Sequence, residues 1–144
     1  MTKIKFGTDG WRAIIAREYT VDNVKRVAEA TALWLKKNNG SKIVLGHDCR
    51  FGGQLFAETT ARVLAAHGIK VHLAKGFVST PMVSLGVVKT KSDLGVVITA
   101  SHNPPSYNGY KLKFKTLSSM RAQTRMKLRI PKCMPRSSPR ESPN

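Results

Sequence analysis

Leu94-Gly-Val-Val-Ile-Thr-Ala-Ser-His-Asn-Pro-Pro-Ser-Tyr-Asn-Gly-Tyr-Lys-Leu-Lys-Phe114 is the stretch that decides how this chain folds. Leu94 to Thr99 is a run of apolar and β-branched residues, which suits a central strand buried on both faces. Gly109 to Phe114 alternates apolar with polar residues and reads as a second strand. The segment between them is rich in turn formers, and α/β folds place reactive loops at this point, at the carboxyl end of the sheet. Ser101 would be held up on a turn, with Asn103 and Pro104 fixing the backbone behind it. His102 beside it and Lys111 farther on offer cationic or proton-transfer partners. A serine hydroxyl is a weak nucleophile unaided, so phosphoryl chemistry needs such neighbours. On composition alone a plain surface turn is the commoner reading.

Outward from that loop, strands and helices alternate. Thr20 caps a helix over about 21–38, on which Val24, Val27, Ala28, Thr31, Trp34 and Leu35 share one face. Asn38-Asn39-Gly40 stops it, and Lys42 to Gly46 is a short buried strand. A second helix covers about 53–67, with Phe56, Thr60, Val63, Leu64 and His67 inward and Gly68 after its C-cap. Ile69 to Leu73 alternates as a strand does. Thr80-Pro81 places a proline in the first turn of a third helix. The expected fold class is α/β: a three-layer domain over residues 1–115, with a mixed or parallel sheet flanked by helices.

From about Leu117 the periodicity dissolves. Pro131, Pro135, Pro139 and Pro143 recur every four residues, which no helix interior or central strand accepts. Residues 116–144 are therefore expected to be a disordered basic Ser/Pro-rich tail, with the character of out-of-frame translation. The formal charge of +17 divides accordingly. Residues 1–112 hold 16 Lys/Arg against 7 Asp/Glu, a net of +9, while residues 113–144 hold 9 against 1, a net of +8.

The chain has 144 residues, enough for one domain with a core, and its 41% hydrophobic content is ordinary for a globular protein. No run approaches the ~18 apolar residues of a membrane span. No secretory signal is expected at the N-terminus. Cys49 and Cys133 lie far apart without metal spacing, which favours reduced thiols and the cytoplasm.

Two further segments carry chemistry. In Phe6-Gly-Thr-Asp-Gly-Trp-Arg12, Gly7 and Gly10 permit a tight bend and Arg12 offers a fork for phosphate. By its residues it reads as a loop entering the first helix. Gly46-His-Asp-Cys-Arg-Phe-Gly-Gly53 follows the second predicted strand. His47, His67 and His72 show no metal spacing and read as core or surface histidines.

Thr99-Ala-Ser-His-Asn-Pro-Pro-Ser-Tyr-Asn-Gly-Tyr-Lys111 resembles the active-serine loop of the α-phosphohexomutases, the phosphoglucomutase/phosphomannomutase family. Phe6 to Arg12 resembles that family's FGTDG-R loop, and Gly46 to Arg50 its G-x-D-x-R segment. The resemblance covers about residues 4–115, the first of four domains. It implies that Ser101 is the phosphoserine, with His102 and Lys111 near the transferred phosphoryl group and Lys111 the better acid/base candidate. It gives Arg12 a phosphate-binding role and makes Asp48 and Arg50 a supporting ion pair, with Asn103 and Pro104 structural. The parent would interconvert hexose 1- and 6-phosphates, with a hexose bisphosphate as activator. Mg2+ would meet this chain only through phosphorylated Ser101, because the remaining ligands lie in other domains. The fragment alone is expected to be inactive.

Two alternatives come from other classes. A non-catalytic module could use the basic tail on nucleic acid or an acidic partner; without aromatic or glycine interleaving it ranks second. A serine hydrolase using Ser101 and His102 ranks third, since the G-x-S-x-G elbow is missing. No membrane partner is expected.

Overall fold

Five strands and three helices alternate in the computed structural model, which describes residues 3–7 and 9–115. In chain order they are β1 (Gly10–Ile14), α1 (Val21–Lys37), β2 (Lys42–His47), α2 (Gly53–Ala66), β3 (Lys70–Phe77), α3 (Thr80–Lys89), β4 (Leu94–Ile98) and β5 (Tyr107–Phe114). The sheet order is β1-β5-β4-β2-β3. β2 lies parallel to both β3 and β4, whereas β5 runs antiparallel to β4 and β1. The sheet is therefore mixed, as expected. Parallel β2 and β4 end side by side, and this brings Asp48 to the loop that begins at Thr99.

Each helix forms for local reasons. Thr20 accepts a hydrogen bond from the Asn23 N–H at 3.3 Å and caps α1. Val24, Val27, Ala28, Thr31 and Leu35 of α1 are buried, at the 3.6-residue spacing of one apolar face. Gly68 takes a left-handed φ of 75° just past α2, where a side chain would be strained. α3 begins one residue before Pro81, with Ser79 as its cap. α1 and α2 cover one face of the sheet, packing Val24, Val27, Leu35, Phe56 and Leu64 onto Ile43, Leu45, Val96 and Ile98. On the opposite face Val83 and Val87 of α3 meet Val44 and Val97. These are the three layers that the alternation implied.

Three expectations need correction. Gly10–Ile14 is an edge strand rather than a loop entering α1, with only Trp11 and Ala13 buried. β3 runs on to Phe77 and is mostly exposed, because it is a sheet edge held by β2 alone. β5 starts at Tyr107 and is buried from Asn108 to Leu112, so the polar members of its alternation also lie inside. The expected disorder of residues 116–144, and Cys133, fall outside the described residues.

Trp11, Tyr19 and Phe56 form an aromatic cluster. Trp11 stacks on Tyr19 at 4.6 Å, and Tyr19 meets Phe56 edge-on at 4.8 Å. The buried Tyr19 hydroxyl donates to the Gly109 carbonyl at 2.7 Å, and that of Tyr110 donates to Thr31 at 3.2 Å. Burial pushes both phenols above their ordinary value, with Tyr110 and Asp48 adding to the shift at Tyr19. An unfolded tyrosine loses its proton near pH 10, whereas these two keep theirs while folded. Stability should therefore fall as pH rises above about 10. Denaturation midpoints measured between about pH 9 and about pH 11 test this. The decline should be shallower in Tyr110→Phe, and an equal slope in that variant would contradict the assignment.

Candidate active site

The loop after β4 turns on Ser101, whose backbone is left-handed at φ 56°. Few residues other than glycine and asparagine adopt that conformation without support. The support comes from Asp48 and Arg50, beyond the end of the neighbouring strand β2. One guanidinium nitrogen of Arg50 donates to the carbonyls of Pro104 at 2.8 Å and Tyr107 at 3.0 Å. The other donates to the carbonyls of Ser101 at 2.8 Å and Asn103 at 2.6 Å. A rigid planar fork with several donors can satisfy four carbonyls at once, which a lysine could not do. Arg50 thereby fixes the curl of the whole turn.

Asp48 secures the same loop from its base. Its Oδ2 lies 3.6 Å from Arg50 Nε and accepts a hydrogen bond from the Thr99 hydroxyl at 2.5 Å. Its Oδ1 accepts from the Arg50 backbone N–H at 3.0 Å. The Thr99 hydroxyl in turn accepts from the Ser101 N–H at 3.1 Å. Arg50, Asp48, Thr99 and Ser101 thus form a continuous chain of contacts. Thr99→Val should remove one donor and one acceptor from it and destabilise the domain by about 1–3 kcal/mol, while Thr99→Ser restores stability. A urea midpoint in the valine variant equal to wild type would refute this coupling.

Cations approach from the strands on the other side. Arg12 of β1 donates to the Asn103 side-chain carbonyl at 3.0 Å. Lys111 of β5 is buried, with its ammonium 3.5 Å from Asp9, and Arg12 stands 4.0 Å from the same carboxylate. Arg12 lies opposite Gly109 in the β1–β5 ladder. A Cβ at Gly109 would run first into the Thr99 carbonyl and then come to 3.0 Å from Arg12 Cγ and the Trp11 carbonyl, so glycine lets β5 pass between the Thr99 backbone and β1. Ser101, His102 and Pro104 are exposed, and Asn103 is half-buried with its N–H donating to Ala100 at 3.1 Å.

The structure therefore brings Arg12, Asp48, Arg50, Asn103 and Pro104 together around the Ser101 turn, with Lys111 joined to Arg12 through Asp9. His102 sits on the turn without a hydrogen-bond partner among the described residues. Thr99 and Asp9 were not singled out by sequence reasoning. Thr99 offers only the weak signal of a hydroxyl two residues before a turn serine, and Asp9 lay unremarked inside its motif.

The three histidines read as core or surface are placed as follows. His47 is buried and meets Phe77 edge-on, while His67 lies 2.7 Å from Glu29. His72 Nε2 is buried without a hydrogen bond. Among the described residues no cluster of three or more His, Cys, Asp or Glu could hold a metal ion, and no helix is long and apolar enough to cross a membrane.

Known proteins resemble this chain in sequence and in fold. Residues 3–135 match the family model described as phosphoglucomutase/phosphomannomutase, alpha/beta/alpha domain I; that match continues past Lys115. A phosphoglucosamine/phosphogalactosamine mutase of Sulfurisphaera tokodaii is 40% identical over 107 residues, covering 74% of this chain and 23% of its own. A phosphoribomutase of Saccharomyces cerevisiae is 37% identical over 121 residues, covering 78% of this chain and 20% of its own. The crystal structure of a Thermus thermophilus protein assigned as a phosphomannomutase superposes with a TM-score of 0.81 at 41% identity. It covers 90% of this chain and 30% of that one. The chain thus spans about a quarter of the length of the curated relatives it matches. By its sequence and its sheet, the chain belongs to the phosphoglucomutase/phosphomannomutase family, whose α/β/α domain I it forms.

Proposed function

We propose that this chain is the phosphate-carrying domain of a sugar-phosphate mutase that interconverts hexose 1- and 6-phosphates, with Ser101 as the carrier. The observation that supports it is the left-handed Ser101 turn, braced by four carbonyl bonds from Arg50 and approached by Arg12. Such rigidity serves phosphoryl transfer, which depends chiefly on positioning and charge neutralisation.

In this reading the phosphoryl group leaves Ser101 Oγ for a free hydroxyl of the sugar. The phosphorus–serine oxygen bond breaks as the phosphorus–sugar oxygen bond forms. After the bisphosphate intermediate turns round, its other phosphoryl group restores the phosphoserine, so a hexose bisphosphate also activates the enzyme. Arg12 neutralises phosphoryl charge from β1. Lys111, its side-chain nitrogen oriented by Asp9, relays to Ser101 Oγ the proton that the sugar hydroxyl loses, with His102 lining the transfer path. Asp48, Arg50, Asn103 and Pro104 hold the turn.

The described residues do not fit a magnesium site by themselves. The one carboxylate near Arg12 and Lys111, Asp9, faces both cations, and Ser101 offers a single oxygen or its phosphoryl oxygens. The chain alone turns over negligibly. A cytoplasmic setting belongs to the same reading, since Cys49 and Cys133 lie far apart in the sequence and lack metal spacing. The test is a hybrid in which residues 3–115 replace domain I of a complete family member. Ser101→Ala in that hybrid should abolish mutase turnover, and undiminished activity would sink the assignment.

A further inference from the structure

Arg12 and Lys111 share one carboxylate and reach the same oxygen of it. Asp9 Oδ2 lies 3.5 Å from Lys111 Nζ and 4.0 Å from Arg12. Arg12 also donates to the Asn103 side chain, and Lys111 lies opposite Val97 on the strand that leads into the loop, so the pair borders the Ser101 turn. The Lys111 side chain is only 8% exposed, and among the described residues its one ion pair is with Asp9. An ammonium buried to that degree is costly without a counter-charge.

Asp9 is anchored through its backbone more firmly than through its side chain. It sits in a turn closed by the Gly7 N–H, which donates to the Gly10 carbonyl at 2.7 Å, and its own carbonyl accepts from the Leu112 N–H at 3.1 Å. A Cβ at Gly10 would strike the Tyr110 carbonyl, so glycine lets the turn lie tight against β5. The Asp9 side chain, by contrast, is 44% exposed, and both of its ion pairs are long. Rotation to another side-chain rotamer carries the carboxylate into water while the backbone stays in place.

Two cations against one carboxylate leave a net charge of +1. A phosphoryl group on Ser101 brings about −2 and neutralises both cations by itself. With Asp9 still in place, two anions would crowd the same pair of cations and repel each other. We infer that Asp9 is a displaceable counter-ion, which holds Arg12 and Lys111 while Ser101 is bare and turns to solvent when a phosphoryl group takes its place. Lys111 is then never buried without an anion. The phosphoryl group is also held less tightly than the two cations alone would hold it, which leaves it easier to pass on. The inference rests on the mutase reading of Ser101 and adds to it a positioning residue that limits how firmly the loaded serine is held.

The test is an NMR titration of the full chain with inorganic phosphate, run on wild type, Asp9→Asn and Arg12→Gln. Asparagine keeps the shape of Asp9 and removes its charge. Phosphate should therefore bind Asp9→Asn about tenfold more tightly than wild type, with shifts at Ser101, Asn103 and Lys111. A carboxylate that only orients the two cations, or only supports the fold, has the opposite signature: its loss weakens phosphate binding or leaves it unchanged, and either result overturns the inference. A second readout needs no variant. In wild type the Asp9 carboxyl carbon should shift as phosphate is added, in step with the Ser101 amide. A carboxyl carbon that stays still while Ser101 moves also overturns the inference. These failures leave the mutase reading standing. If phosphate moves Ser101 and Asn103 in neither wild type nor Asp9→Asn, or binds Arg12→Gln as tightly as wild type, both fail.

Discussion

Arg50→Ala is expected to release the Ser101 turn and to destabilise the domain by about 3 kcal/mol, the largest loss from any single side chain at the site. Four loop carbonyls, those of Ser101, Asn103, Pro104 and Tyr107, depend on this one guanidinium. Charge-assisted hydrogen bonds contribute roughly 1.5–3 kcal/mol each, but carbonyls that reach water recover part of the loss. The effect should therefore stay well short of a fourfold sum. It should also be local. The Asn103 and Tyr107 N–H groups, which close the turn onto Ala100 and Pro104, should exchange with solvent about a hundredfold faster. Amides of α1, remote from the loop, should speed up only as far as global stability falls. Arg50→Lys should recover little, because an ammonium lacks the planar fork. Unchanged exchange at Asn103 and Tyr107 in Arg50→Ala would show that the turn holds itself.

Ser101→Ala carries the largest expected effect on activity. In the hybrid that supplies the remaining domains, loss of the carrier oxygen should reduce turnover by about 10^4-fold or more, in line with other nucleophile deletions. The fold should survive. Ser101 is exposed, and its hydrogen bonds to Arg50 and Thr99 run through its backbone rather than its hydroxyl. Alanine also tolerates φ 56° poorly, so a small loss of stability belongs to the same prediction. A variant that folds and fails to turn over separates the chemical role of the hydroxyl from the structural role of the turn. Full activity would move the carrier elsewhere.

Much of this arrangement was legible in the sequence, and the parts that were not share a physical cause. α1 declared itself because Val24, Val27, Ala28, Thr31 and Leu35 keep helical spacing behind a threonine cap. β4 did so because five consecutive buried residues leave no amphipathic signal other than that of a central strand. β1 escaped because it is short, begins at a glycine and buries only Trp11 and Ala13. Its strand character comes from the partner β5, which no local window contains. The end of β3 escaped likewise, since Lys75, Gly76 and Phe77 are exposed and pairing with β2 alone extends the strand. At the site, the Asp48–Arg50 pair could be anticipated from its motif. The four bonds of Arg50 to the turn could not, because they depend on how the chain curls some fifty residues later. Thr99 and Asp9 were invisible for a related reason: each has one partner close in sequence, Ser101 or Arg12, but the partner that completes its network, Asp48 or Lys111, is set by strand order.

Ser101 as the phosphate carrier is tested by phosphosite mapping by mass spectrometry on the hybrid after exposure to a hexose bisphosphate, with and without a chase of hexose monophosphate. One phosphoryl group per chain is expected, on Ser101, that disappears during the chase and is absent from Ser101→Ala. A phosphoryl group on any other residue, or one on Ser101 that the sugar never removes, would contradict it.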